Sequence, residues 1–352
     1  MAVPGLPGFP GALSSLPSLP SSVPLASSVG SMHTGLGLEL GAILGLEVGS
    51  GLSEPALGIL LATIAAVGFA GQFLFVRLGT EDGDVIDAVL VVLLVNVGLL
   101  VPPLLAAYSP PYVDLFTPVS FVSFAAAGVA GMFVARLAMF RSIEAIGANL
   151  TSPIVASNVL FATVFAVVLL EERLTVIHAA GIVLIVAGLA VASWDTAEST
   201  GADRSIRDLG TTLALPLVAA AAIGIEPIFI SIGLADGTAV LPGIVVMAGT
   251  ATVGFVGYLG VSESVRRVRG SGPELKWYLS AGVATTVGFL SYFAALEVAP
   301  VVVVMPFLQL TPLLVVVLSI ALLPSHLERV SWRVVAAAIL VVIGATFVSI
   351  SG

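Results

Sequence analysis

The chain has 352 residues, of which 58% are hydrophobic and only 9% charged, and its formal net charge is −9. A soluble globular protein carries about 25% charged residues, so no water-facing surface of this size can be built from these, and the composition predicts an integral membrane protein. With no cysteine, disulfides, thiolate catalysis and Cys-ligated metals are excluded, and His33, His178 and His326 fall at no metal-ligating spacing.

Acidic residues outnumber basic ones by 21 to 12, and Lys276 is the single lysine. That balance fits a halophile, whose loops stay hydrated in concentrated salt by carrying a negative surplus.

Residues 1–54 open MAVPGLPGFPGALSSLPSLPSSVPLASS. Proline recurs every few residues, so no helix runs through, and the stretch reads as a disordered tail. It has neither the basic start nor the unbroken apolar core of a signal peptide. Met32 is an alternative start of translation.

From Ala56 onward, long apolar runs alternate with short polar breaks. Ten segments are predicted as membrane helices: 56–78, 86–107, 119–140, 148–170, 174–194, 213–234, 239–260, 277–296, 301–323 and 333–350. Each is about the length that crosses a ~30 Å hydrocarbon layer at 1.5 Å per residue. Runs of this length exclude a β-barrel, which shows short alternating segments. The breaks carry turn chemistry, as in TEDGD, SPPYVD and LPSHLER, and the longest, 195–212, falls between the fifth and sixth segments.

That break divides the chain into a repeat over 55–194, a linker over 195–212 and a second repeat over 213–352. ATIAAVGFAGQFLFVRLGTEDG (62–83) lies over PLVAAAAIGIEPIFISIGLADG (216–237), and AAGVAG (126–131) over SAGVAT (280–285). Glu144 falls on Glu297, Pro153 on Pro306, ERLT (172–175) on ERVS (328–331) and Gly188 on Gly344, at offsets between 153 and 156. Polar and glycine matches in unbroken order point to internal duplication. Five helices per half make the second half enter from the opposite side. The expected fold is therefore an all-α, ten-helix membrane protein of two inverted five-helix repeats.

Glu226, in AAIGIEPIFI, is the sharpest candidate residue. A carboxylate in an otherwise apolar run must be paired, protonated or solvated, because burying it alone costs too much. Its counterpart in the first half is Gln72, and a small residue, Gly224 or Gly71, lies beside or near each. Matched polar groups on the first helix of each half are expected to face a shared cavity. Desolvation disfavours the charged carboxylate, so Glu226 can load and release a proton or hold a cationic group. Structurally, it could instead bond a neighbouring helix. Arg136, on the third segment, has Glu226 or an anionic substrate as its expected partner, or it snorkels to the membrane edge. Asn158, Thr311, Tyr292 and Gln309, with Asn96 and Asn149, either line the cavity or join helices. Glu172, Arg173, Glu328 and Arg329 sit at membrane edges and read as helix-end pairs.

The segments SNVLFATVFAVVLLEERLTVIHAAGIVLIVAGLAVAS (157–193) and LTPLLVVVLSIALLPSHLERVSWRVVAAAILVVIGATFVS (310–349) end the two halves. Together with the helix count and the duplication, they resemble the EamA type of the drug/metabolite transporter superfamily over roughly residues 56–350. Val159 departs from the proline the family usually has in the fourth helix, whereas Pro312 keeps it. The second ER segment follows a short insertion, PSH, and has Val330 where the first has a leucine.

The resemblance implies a secondary transporter in the cell membrane, moving an amino acid, a related metabolite or a drug-like solute by alternating access. Alternatives on the same scaffold are a lipid-linked carrier or flippase, or a receptor or assembly protein that does not transport. The implied partners are a small-molecule substrate and the bilayer, with a coupling proton or cation and a homo-oligomer as options, and no nucleic acid. No P-loop, Gly-x-Ser-x-Gly or metal cluster appears, so neither an enzyme nor a cofactor is expected. Arginine and lysine gather in the odd breaks, at Arg141, Arg204, Arg207, Arg266, Arg267, Arg269, Lys276, Arg329 and Arg333, against Arg173 in the even ones. That bias puts both termini outside, whereas the resemblance implies cytoplasmic termini.

Overall fold

A computed structural model describes residues 54–170, 176–199, 206–261, 272–298, 304, 307–324 and 330–350, and every regular element among them is helical. In chain order these are α1 (Glu54–Gly79), α2 (Val85–Ala107), α3 (Pro118–Ala127), α4 (Arg136–Ile146), α5 (Ala148–Val155) and α6 (Asn158–Leu170). There follow α7 (Val176–Ser199), α8 (Ile206–Ala235), α9 (Val240–Val261), α10 (Leu275–Val298), α11 (Thr311–Leu322) and α12 (Trp332–Ile350). A short 3₁₀ turn, Tyr112–Leu115, lies before α3. Residues 1–53, with the expected disordered tail, lie outside the described residues.

Local chemistry sets the ends. Asp84 accepts the backbone N–H of Ile86 at 2.7 Å and starts α2. Thr117 and Ser120 form a reciprocal capping box at the start of α3, with Pro118 in the first turn. Gly147, at φ +84°, separates α4 from α5, and Gly237, at φ +94°, ends the turn after α8. Both need the left-handed region that glycine enters freely.

Three features differ from the sequence expectation. The third segment runs on to Ile146, as one rod whose middle, Gly128–Ala135, is π-helical. The expected linker 195–212 is mostly helix: α7 continues to Ser199, α8 begins at Ile206, and WDTAES holds no glycine or proline to stop it. The fourth and ninth segments are not single rods. The first breaks at Ala156–Ser157 between α5 and α6, and the second turns at Gln309–Leu310 before α11. The two turns are 153 residues apart, so both repeats break at the same place. Pro153 lies inside α5, three residues before the turn, and Pro306 is outside the described residues.

Among the described residues, six helices are long and apolar enough to cross a membrane. They are Ala56–Gly79, Val85–Ala107, Pro118–Ile146, Leu213–Ala235, Val240–Val261 and Leu275–Ala295. Shorter apolar helices occupy Ala179–Gly188, Thr311–Leu322 and Trp332–Phe347. Ten complete spans are thus not present among the described residues.

Helix pairing is symmetric under exchange of the halves. α1 lies along α10, the third helix of the other half, and α8 lies along the α3–α4 rod. α2 crosses α10 as α9 crosses α3 and the π segment; α2 meets α9, α7 meets α12, and α6 packs on α8 as α11 packs on α1. The main core forms where these helices converge, around Phe73, Leu93, Phe140, Met247 and Tyr278.

Candidate functional site

Glu226 is buried on α8, 8% exposed, in a helix that also contains Pro227. Proline supplies no N–H, so the carbonyl four residues back, that of Ile223, loses its helical donor beside the carboxylate. The carboxylate lies directly against Gly131 in the π segment, in the space a side chain there would fill. Two residues earlier, Gly224 packs against the start of α6, where an added Cβ would stand 2.7 Å from the Asn158 carbonyl oxygen. α8 is thus pressed between the π segment and the break of the fourth segment, and Glu226 lies at that crossing.

Arg136 begins α4 immediately after the π segment and is 4% exposed. Its side chain is buried rather than extended to a membrane edge, and no ion pair joins it to Glu226 among the described residues. Arg136 Nη1 donates to Asn96 Oδ1 at 2.6 Å. Asn96, 1% exposed on α2, donates through Nδ2 to Thr286 Oγ1 at 2.8 Å and to the Gly282 carbonyl at 3.1 Å, both on α10. Every amide atom of Asn96 is used, and its orientation is fixed because the guanidinium can only donate. Asn96 therefore ties the buried arginine of one half to a helix of the other.

Tyr292, half-buried on α10, has its ring tilted by 38° to that of the adjacent Phe293, with centroids 5.1 Å apart. Gln72 is 4% exposed on α1, and its Nε2 has no hydrogen-bond partner among the described residues. Asn158 opens α6, and Thr311 opens α11 with its hydroxyl bonded to the Leu308 carbonyl at 2.7 Å. Gln309 is buried in the turn before α11. The structure sets Glu226 against Gly131 and Asn158 beside α8, and among the described residues it shows no hydrogen bond or ion pair to Glu226 from Arg136, Gln72, Gln309 or Thr311. Arg141 is apart from this group, at 3.9 Å from Glu144 on a half-exposed helix end.

Gly131 and the π segment are absent from the sequence reading. The signal was the pairing of GVAG with GVAT, in which glycine replaces the threonine of the other repeat opposite the glutamate. Extra-wide helical turns of this kind are frequent at functional sites.

The halves are not equivalent. At the 154-residue offset that lays Glu226 over Gln72, Asn96 corresponds to Thr250 and Gly282 to Gly128. Asn96 makes short bonds across the halves, whereas Thr250 reaches Ala125 O only at 3.4 Å and turns its hydroxyl onto its own helix, at 2.8 Å from Val246 O. Arg136 corresponds to Leu290. Charge is concentrated at one of two related crossings.

A family model described as "EamA-like transporter family" matches residues 56–194 and 210–350, once per repeat. No curated protein matches the chain. A solved structure described only as "Crystal structure of protein" is similar at a TM-score of 0.58 with 16% identity, over 82% of this chain and 95% of that one. That likeness is one of fold.

Proposed function

The chain belongs to the EamA-like transporter family, within the drug/metabolite transporter superfamily, and we propose from that premise that it is a secondary transporter of a small metabolite working by alternating access. The membrane-spanning helices and the two family repeats make it a multi-pass membrane protein of the transporter type. The exchange-symmetric helix pairing supports a twofold relation between the halves. With five segments per half, that axis lies in the membrane plane and the repeats are inverted.

Glu226 is the residue we assign to coupling or substrate binding. The observation that carries this is its burial against Gly131, at a crossing between the halves. An ionisable side chain inside a membrane protein marks a solute or proton path by default. Loading a proton on Glu226 changes the net charge of the crossing by one. Such a change biases how tightly the halves close there, which is what coupling requires.

The test is solute accumulation in proteoliposomes, using amino acids, purines, cationic drugs and phosphorylated sugars, with and without an imposed pH gradient. Gradient-dependent accumulation of one solute class over protein-free vesicles is expected. Accumulation that ignores the gradient would remove proton coupling, and no accumulation of any class would count against transport of small metabolites.

A further inference from the structure

A buried guanidinium needs partners for its charge and for its N–H donors. Arg136 is 4% exposed where the π segment ends and donates through Nη1 to Asn96 Oδ1 at 2.6 Å. Among the described residues, its Nε and Nη2 donate to nothing, and no carboxylate lies within ion-pair distance of it. Those two atoms make one edge of the guanidinium, with N–H groups pointing the same way. It is an edge that grips a carboxylate through two parallel bonds. Asn96 spends its amide on Arg136, Thr286 and Gly282, so it holds Nη1 in place and leaves the Nε–Nη2 edge open.

The fold does not require a charge at this position, since Leu290 holds the corresponding place in the other repeat. Nor is the edge sealed off. Polar atoms enclosed without a partner include Gln72 Nε2 and the Ser152 hydroxyl, but none of Arg136 or Glu226, so the unbonded ends of both side chains border accessible space. Glu226 rests on Gly131, and Arg136 follows five residues later across wide turns whose closing bonds span five residues. The two positions therefore come close to one line along the rod, whereas in an α-helix they would be about 140° apart.

Building on the transporter reading, we infer that the Nε–Nη2 edge of Arg136 binds the carboxylate of the transported solute, a small organic acid with a single negative charge. One guanidinium balances one such charge. The other basic residues described, Arg77, Arg141, Arg207, Lys276 and Arg333, are placed near helix ends. A phosphate monoester, at about −1.5 to −2, would keep charge unbalanced beside Arg136 alone. When Glu226 carries its proton, the solute carboxylate lies beside a neutral acid rather than a second anion. The crossing then takes up a proton and an anion together, with no net charge added.

The test follows thermal unfolding of the full chain in lipid nanodiscs with lactate, nicotinate or alanine, each against its own amide and against sodium chloride at equal concentration. At least one acid should raise the midpoint where its amide and chloride do not. Folded Arg136→Leu should lose that protection. Arg136→Lys keeps the charge without the forked edge, so it should need about tenfold more acid for the same shift, and it carries the comparison if the leucine variant folds poorly. No acid protecting beyond its amide, protection unchanged in a folded Arg136 variant, or stronger protection by glycerol phosphate overturns the inference. If the solute that accumulates in proteoliposomes has no carboxylate, this inference falls and the transporter reading stands. If wild type binds an acid through Arg136 yet moves no solute, the transporter reading falls, and with it the assignment of that acid as cargo.

Discussion

Asn96→Leu isolates what the inter-half tie contributes. The substitution preserves volume and removes both ends of the link. Thr286 keeps its own bond to the Gly282 carbonyl at 2.9 Å, so α10 loses little. Arg136 loses the acceptor at 2.6 Å that its buried guanidinium uses. Neutral side-chain bonds between membrane helices are worth about 0.6 kcal/mol on average, whereas hydrogen bonds to charged groups contribute about 1.5–3 kcal/mol. The charged bond therefore dominates, and its loss is expected to destabilise the fold by about 2 kcal/mol. Reversible unfolding in mixed detergent–SDS micelles would measure this for wild type, Asn96→Leu, Arg136→Met and the double variant. A coupling energy of about 1.5–3 kcal/mol between the two positions is expected. Additivity to within about 0.5 kcal/mol would show that the two side chains do not support one another, and the assignment of Asn96 as the anchor of Arg136 would fail.

Three further predictions concern the packing around the site. Gly131→Ala places a methyl group where the Glu226 carboxylate lies, and a side chain rather than backbone must give way; initial uptake of the transported solute should fall by about tenfold, as displaced anchors cost on that order or more, while the variant stays folded by circular dichroism. Gly68→Ala forces a Cβ onto the α10 backbone, so it should cost about 1–3 kcal/mol in the same unfolding assay, and a neutral result would contradict the close contact with Ala284 and Gly288. The single Tyr278 O–H is shared between Gly79 O at 3.0 Å and Asp84 O at 3.1 Å, holding the turn after α1 to α10; Tyr278→Phe should cost about 0.5–1.5 kcal/mol and speed hydrogen exchange across residues 79–84.

Composition and apolar run length were enough to read a helical membrane protein, and matched polar residues were enough to read two repeats. Turn residues placed most breaks within a few positions, because glycine, proline and aspartate act locally. The wide turns at Gly128–Ala135 were not legible, since GVAGMFVA reads as an ordinary apolar helix and the contacts of α8 and α9 with it are set by the tertiary fold. For the same reason Glu226 and Arg136 could be picked out by their cost in an apolar run, whereas Gly131 could not. A glycine that makes room for a carboxylate looks, in sequence, like any glycine that lets helices pack. The inequality of the halves was legible only in retrospect: Asn96 over Thr250 and Arg136 over Leu290 are ordinary differences until Asn96 is seen to bond Arg136 and α10.

The central claim is that Glu226 carries the coupling, and one comparison tests it most directly. For the solute that accumulates in proteoliposomes, wild type and folded Glu226→Gln protein are compared for pH-gradient-driven accumulation and for exchange of labelled against unlabelled solute with no gradient. Wild type should do both, and Glu226→Gln should lose accumulation driven by the gradient. Accumulation equal to wild type in the variant would contradict the claim and leave Glu226 a structural residue.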